Sequence, residues 1–333
     1  MRIVHIAVPG QRSEVKLVAL ATPWTRRMGL SAPILNAPMG GVAGGMLASA
    51  VSAAGGLGMI GVGSSGSVSL LKREAEHPRK AGLPFGIGLL DWAMTREPAL
   101  LDAALSAEPM LISVSFGDDW AWIGRVRDAG IATATQVSDV TEARRAVDAG
   151  VDVIVARGAE GGGHGEAKVG TLPLLEGVLD AISLPVLAAG GISSARGLAA
   201  VLAAGASGAW LGTAFAACTE SLASDRSREA MLRAAETDTV TTSVFDVALG
   251  YDWPSRFGER VLRNDWERWS GREEALASDT AARSALATAI AAGDGCVAHV
   301  DAGQGVGLLS EVRPAAKVVA RLCTGATELL SSW

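Results

Sequence analysis

The chain has 333 residues, is 49% hydrophobic, and carries a formal charge of -6 with a pI near 5.4. That length and hydrophobic content bury a large core, in one elaborated barrel or two modest domains, and exclude extensive disorder. The acidic balance, with no long Lys/Arg run, excludes a general attraction to nucleic-acid phosphates or anionic lipid.

At the start, Met1-Arg2-Ile3-Val4-His5 lacks the sustained apolar segment of a secretory signal. Cys218, Cys296 and Cys323 are too widely separated for a disulfide framework or a CxxC site, so a cytoplasmic protein without a bound metal is expected. No charge occurs between Arg27 and Lys72, yet Pro33, Pro38 and the glycines at 40–41, 44–45 and 55–58 cut that stretch into pieces too short to span a bilayer. Buried strands joined by an Ala-rich helix have the same composition.

The first candidate strand, near 33–38, runs into Asn36-Ala37-Pro38-Met39-Gly40-Gly41. This rigid turn could press backbone N–H groups against a flat ligand; Met39 as core filler is the bland alternative. An Ala-Gly pair then recurs at Ala54-Gly55, Ala129-Gly130, Ala149-Gly150 and Ala204-Gly205, each time closing a helix-like segment and leading into a short apolar run. Asp139-Val140-Thr141-Glu142 opens one such helix like a capping box, with Val140, Ala143 and Val147 on one face. Further candidate strands fall near 57–62, 85–89, 110–115, 131–136, 151–156, 185–189 and 207–211. Eight strands whose starts lie roughly 20–35 residues apart leave room for a crossover helix each time and predict a (β/α)8 TIM barrel. An open doubly wound sheet is the alternative.

In such a barrel the chemistry sits in the loops at the carboxyl ends of the strands. After the sixth strand comes Arg157-Gly158-Ala159-Glu160-Gly161-Gly162-Gly163-His164-Gly165-Glu166. A lone histidine is usually structural, but His164 lies among glycines at the barrel mouth, where an imidazole can face a ligand and exchange protons near neutral pH. His5, His77 and His299 lack that setting, and His77 reads as solvated surface. The loops after strands seven and eight, Ala189-Gly190-Gly191-Ile192-Ser193 and Leu211-Gly212-Thr213-Ala214, suit a phosphate, because glycine lets N–H groups approach an anion and a helix N-terminus follows. Tight turns alone would also explain these glycines. Residues 219–298 break the rhythm, carry more charge and hold Tyr251, Trp253, Phe257, Trp266 and Trp269; they read as a helical lid or substrate subdomain over a barrel made of 1–218 and 299–333. The returning segment includes Asp301-Ala302-Gly303-Gln304-Gly305-Val306-Gly307. An Ala-rich barrel with exposed tryptophans is expected to self-associate as a homodimer.

Taken together, Ala37-Pro38-Met39-Gly40-Gly41, Gly55-Gly56-Leu57-Gly58-Met59-Ile60-Gly61, Glu160-Gly161-Gly162-Gly163-His164-Gly165, Ala189-Gly190-Gly191-Ile192, Gly212-Thr213-Ala214-Phe215 and Ala302-Gly303-Gln304 resemble the nitronate monooxygenase family, formerly the 2-nitropropane dioxygenases, and its relatives the flavin-dependent enoyl-ACP reductases. The resemblance implies FMN across the barrel top, its phosphate held by Gly190, Gly191, Gly212 and Thr213 and its ring against Pro38, Met39 and Gly40. Gln136 and Gly163 would be further contacts, and His164 would face the substrate. Two positions depart from the family pattern: Phe85-Gly86-Ile87-Gly88-Leu89 stands where many relatives end a strand in asparagine, and Gln136 where many carry lysine.

The implied reaction is FMN-dependent oxidation of alkyl nitronates or nitroalkanes by O2 to a carbonyl compound and nitrite, on a small-molecule substrate. His164 would hold the nitronate oxygens when protonated, or remove an α-proton from a neutral nitroalkane when neutral. Two other readings stay open: an NAD(P)H-dependent flavin reductase of enoyl thioesters or enones, and a non-catalytic flavin-binding barrel.

Overall fold

Runs of buried residues too short for helices line up as parallel strands: β1 (Ile34–Asn36), β2 (Gly58–Gly61), β3 (Phe85–Leu90), β4 (Leu111–Ser115), β5 (Ala132–Val137) and β6 (Val153–Arg157). A two-residue strand, β7 (Gly163–His164), sits in the loop after β6; β8 (Val186–Ala189) and β9 (Gly208–Leu211) complete the main sheet. This computed structural model describes residues 20–292 and 297–332, so His5 and Cys296 lie outside the described residues. The sheet order is β1-β9-β8-β6-β5-β4-β3-β2, and a parallel bridge from Leu35 to Leu57 brings its two edges together into a nearly closed eight-stranded barrel.

The two-residue period of the strands divides the core in two. Leu35, Met59, Leu111, Ala134, Val153, Val155, Leu187 and Trp210 form one buried cluster that fills the barrel. Their neighbours Ile34, Ile60, Ile112, Ile154 and Val186 point outward into a second cluster shared with the surrounding helices. The Ala-Gly stops behave as their chemistry dictates: Gly55, Gly130, Gly150 and Gly205 all take positive φ, from 73° to 107°, which closes each helix and turns the chain into the next strand. Asp139 caps helix Val140–Asp148 by accepting from the Glu142 N–H, and Ala143 and Ala146 face inward.

Residues 219–298 contain helices Asp225–Arg233, Val244–Leu249, Glu273–Ser278 and Thr280–Ala291, and in addition the strands β10 (Thr239–Thr242) and β11 (Glu259–Leu262). β10, β11 and β7 form a second, antiparallel sheet, so the insertion is tied to the loop that carries His164 by backbone pairing. The chain then returns through a 3-10 turn, Gln304–Leu308, to the last helix, Ala315–Ser331, which lies against helix Ala195–Ala203.

Every tryptophan among the described residues is buried or half-buried, so none of these offers the exposed aromatic surface expected for self-association, and Trp333 lies outside the described residues; the exposed large apolar residues among those described are Met46, Leu172, Leu222, Ile290, Leu308 and Val312. No described helix is long and apolar enough to cross a membrane. Cys218 and Cys323 are free and buried, and burial pushes both thiols up to about 12, leaving them unreactive.

Candidate functional site

The mouth of the barrel is built on close backbone approach. A Cβ on Gly88 would lie 2.3 Å from the Pro38 ring, and one on Gly61 would lie 2.5 Å from the carbonyl carbons of Pro38 and Met39. A Cβ on Gly40 would meet the Cα of Gly63 at 2.4 Å. The Pro38-Met39-Gly40 turn therefore presses directly onto β2 and β3, and a glycine at 88 gives the proline ring its place. That is a packing reason for the missing asparagine. Met39 is half-buried, and its sulfur would be 3.6 Å from a Cβ on Gly212, so the turn after β1 and the loop after β9 share one side of the mouth.

On that side the two glycine loops converge with the returning chain. Gly190 and Gly191 both take positive φ, 112° and 66°, and a Cβ on Gly190 would lie 2.7 Å from the Thr171 hydroxyl. The Glu160 carboxylate accepts from the Thr171 N–H and hydroxyl, which fixes the start of the helix beside Gly190. The Thr213 hydroxyl accepts from the Gly303 N–H at 3.0 Å, and the Gln304 N–H donates to the Glu160 carbonyl at 2.9 Å. A cavity of about 360 Å³ runs along Gly190, Gly191, Ile192, Gln304 and Gly305. Left-handed glycines and a flanking cavity fit a phosphate-bearing cofactor: a side chain at Gly190 would collide with Thr171, and one at Gly191 would press on Glu160 and force a strained backbone.

His164 is carried by the adjoining loop after β6, whose Gly161 nitrogen would lie 3.2 Å from a Cβ on Gly190. Its Nε2 is 2.9 Å from the Asp246 carboxylate, with 14% and 9% of the two side chains exposed. An ionised carboxylate only accepts, so Nε2 carries the hydrogen and Nδ1 is the ring nitrogen left for a ligand. Asp246 sits in helix Val244–Leu249 of the insertion, and Glu259 on β11 completes a trio whose polar atoms lie within 4.8 Å of one another. Burial holds the Glu259 carboxyl well above the usual carboxylate range, helped by repulsion from Asp301 and Asp246 and by its hydrogen bond to Asp301.

Arg157, fully buried at the end of β6, explains why the loop is so rich in glycine. One guanidinium nitrogen donates to the carbonyls of Gly161, Gly162 and Gly163 at 2.9, 3.1 and 3.0 Å. A Cβ on Gly165 would lie 2.2 Å from the other. Burial, with repulsion from Arg260, lowers the Arg157 pKa to about 10, so it stays charged at neutral pH. The loop wraps this cation, and the wrapping sets where His164 emerges. Gly163, at φ 67°, has its open side 3.6 Å from Asp301.

Gln136 is placed apart from the phosphate-side group. It lines a narrow slot of about 40 Å³ with Phe116, Arg157, Arg256 and Phe257. Phe116 holds φ at 71°, a left-handed conformation that costs a non-glycine residue on the order of 1–3 kcal/mol. The strain turns its ring edge-on to both Trp253 and Phe257, at 5.0 and 5.3 Å. Sequence reasoning missed Asp246, Glu259 and Asp301, which stand as isolated acids in the insertion and the returning chain. A charged residue ending a buried strand was the available signal for Arg157.

A family model described as nitronate monooxygenase matches residues 92–325. The chain is 33% identical to a nitronate monooxygenase of Paraburkholderia phytofirmans over 342 residues, covering 89% of this chain and 92% of that one. Its fold is similar to that of FabK from Thermotoga maritima, with a TM-score of 0.81, 28% identity and coverage of 94% and 98%. It is also similar to a nitroalkane oxidase from Streptomyces ansochromogenes, with a TM-score of 0.79, 29% identity and coverage of 93% and 100%.

Proposed function

This chain belongs to the nitronate monooxygenase family of flavin-dependent oxidoreductases, and on that premise we propose that it oxidises alkyl nitronates with O2 to carbonyl compound and nitrite, using FMN. The observation that carries the reading is the His164–Asp246 pair, on the loop that packs against the Gly190-Gly191 cradle. Gly190, Gly191, Gly212 and Thr213 would hold the single phosphate, with the ring toward Pro38, Met39 and Gly40. FMN is favoured over a dinucleotide flavin because these loops make one phosphate cradle. When bound, the flavin supplies the electron-accepting chemistry.

The protein's own contribution is orientation and proton control. Asp246 fixes the imidazole so that Nδ1 faces substrate. Neutral, Nδ1 is a base for the α-proton of a nitroalkane; protonated, it donates to a nitronate oxygen. Burial and the neighbouring Asp301 and Asp246 disfavour ionisation of Glu259 beside the pair, which reduces repulsion of an anionic substrate. The insertion supplies Asp246.

The deciding experiment compares nitronate-dependent O2 uptake with NADH oxidation on purified, flavin-loaded protein. Nitrite formed in proportion to O2 supports the proposal. NAD(P)H-dependent reduction of an enoyl thioester, with no nitronate turnover, replaces it with the reductase reading.

A further inference from the structure

One lid residue touches four separate barrel loops. Trp253 lies in the stretch 250–258, between helix Val244–Leu249 and β11. Its indole N–H donates to the Ser64 hydroxyl, after β2, at 2.9 Å. Its ring meets Trp92, after β3, edge-on at 5.6 Å, and Phe116, after β4, edge-on at 5.0 Å. Against His164, after β6, it lies flat, with centroids 3.5 Å apart and planes 3° from parallel. The indole therefore crosses the barrel mouth as a beam, and its far end is tethered.

The flat contact has a steric consequence. Carbon atoms pack at about 3.5–4.0 Å, so a ring-to-ring gap of 3.5 Å admits nothing between Trp253 and His164. One face of the imidazole is closed, and a substrate reaches Nδ1 only at the ring edge. A short, planar anion can do this. A long or branched chain must pass the space that Trp253, Trp92 and Phe116 fill. Phe116 is held there by a left-handed backbone and by its edge-on contacts with Trp253 and Phe257.

We propose that Trp253 is a specificity-determining residue: it roofs His164, admits short-chain nitronates at the imidazole edge and excludes long or branched ones. This rests on the nitronate reading of the site. Trp253 is not needed for proton transfer, which belongs to His164, and its removal widens the substrate range.

The test is kcat/KM across primary nitronates from two to eight carbons, for wild type, Trp253→Ala, Trp253→Leu and Trp253→Phe, all flavin-loaded. Wild type is expected to lose about 10-fold or more between the three-carbon and eight-carbon members, the scale on which a closed pocket refuses extra methylenes. Trp253→Ala should bring that ratio within about threefold, Trp253→Leu should fall between, and Trp253→Phe should keep the preference because a flat ring still covers His164. Affinities of unreactive alkyl carboxylates of the same lengths, measured by calorimetry, should follow the same order. A wild type without length preference, or a Trp253→Ala or Trp253→Leu protein that keeps the full preference, overturns the proposal. Length-dependent carboxylate binding that Trp253→Ala or Trp253→Leu relaxes, with no nitronate turnover in wild type, removes the nitronate reading and leaves the roof standing.

Discussion

Glu259 and His164 are direct partners across the antiparallel β7–β11 pair, which sets a buried carboxyl and the imidazole side by side on one face. The insertion and the histidine loop are therefore joined by backbone pairing, which places Glu259 beside His164.

Glu259 gives a pH dependence with a definite sign. Its carboxyl is held well above the ordinary range by burial, then by Asp301 and Asp246. A raised folded-state pKa gives stability that is complete below the unfolded value, about 4.3, and is lost as pH rises toward the folded value. Glu259→Gln keeps the shape and a donor for Asp301 without ionising. The unfolding free energy from urea denaturation should match wild type near pH 4.5 and exceed it at pH 8. A variant less stable than wild type at pH 8 would show that the carboxylate form is the native one.

Replacing His164 with asparagine keeps hydrogen-bonding capacity but removes the base and the charge. The variant should retain its flavin spectrum and thermal midpoint while kcat/KM falls by about 10²-fold or more. If flavin is lost instead, His164 is part of the cofactor site. Unchanged turnover of both nitronate and nitroalkane would falsify its assignment.

Asp246 acts through His164. Asp246→Ala should lower kcat/KM by about 10-fold or more and displace the pH profile, with flavin content unchanged. Combined with His164→Asn it should cost nothing further, since both changes break one unit. Additive losses in the double variant would place Asp246 in an independent role.

Gly212 offers the cleanest test of the phosphate cradle. Its φ is -93°, and a Cβ there meets nothing closer than the Met39 sulfur at 3.6 Å, so Gly212→Val should fold. It should purify with little flavin, and released cofactor from wild type should be FMN by chromatography. Gly191→Val should lose flavin too, but with a lower thermal midpoint, because Gly191 sits at φ 66°. Full FMN occupancy in both variants would remove the proposed phosphate site.

Arg157→Met should destabilise the protein by about 3 kcal/mol or more, since three carbonyls, one of them buried and two part-buried, lose a charged donor at once. Chemical denaturation checks this. A loss under about 1 kcal/mol would mean that the glycine loop holds its shape without the guanidinium.

The barrel was legible in the sequence because its signals are local. A glycine after a helix must go left-handed, and a buried strand must be a short apolar run; Gly55, Gly130, Gly150 and Gly205, and the eight strands that follow these rules, needed no knowledge of the rest of the chain. The position of His164 at the mouth followed from strand order. Its surroundings did not, because they come from contacts between distant segments. Asp246 lies 82 positions from His164, and Trp253 lies 189 from Ser64. A single aspartate on a six-residue helix, or one tryptophan in a polar stretch, carries no local mark of its partner. The glycines around His164 showed a permissive loop, but only the folded chain revealed Arg157 inside it. Pairing of β11 with β7 decided which acid stands beside the imidazole, since strand register is fixed by packing across the sheet and not by either strand alone.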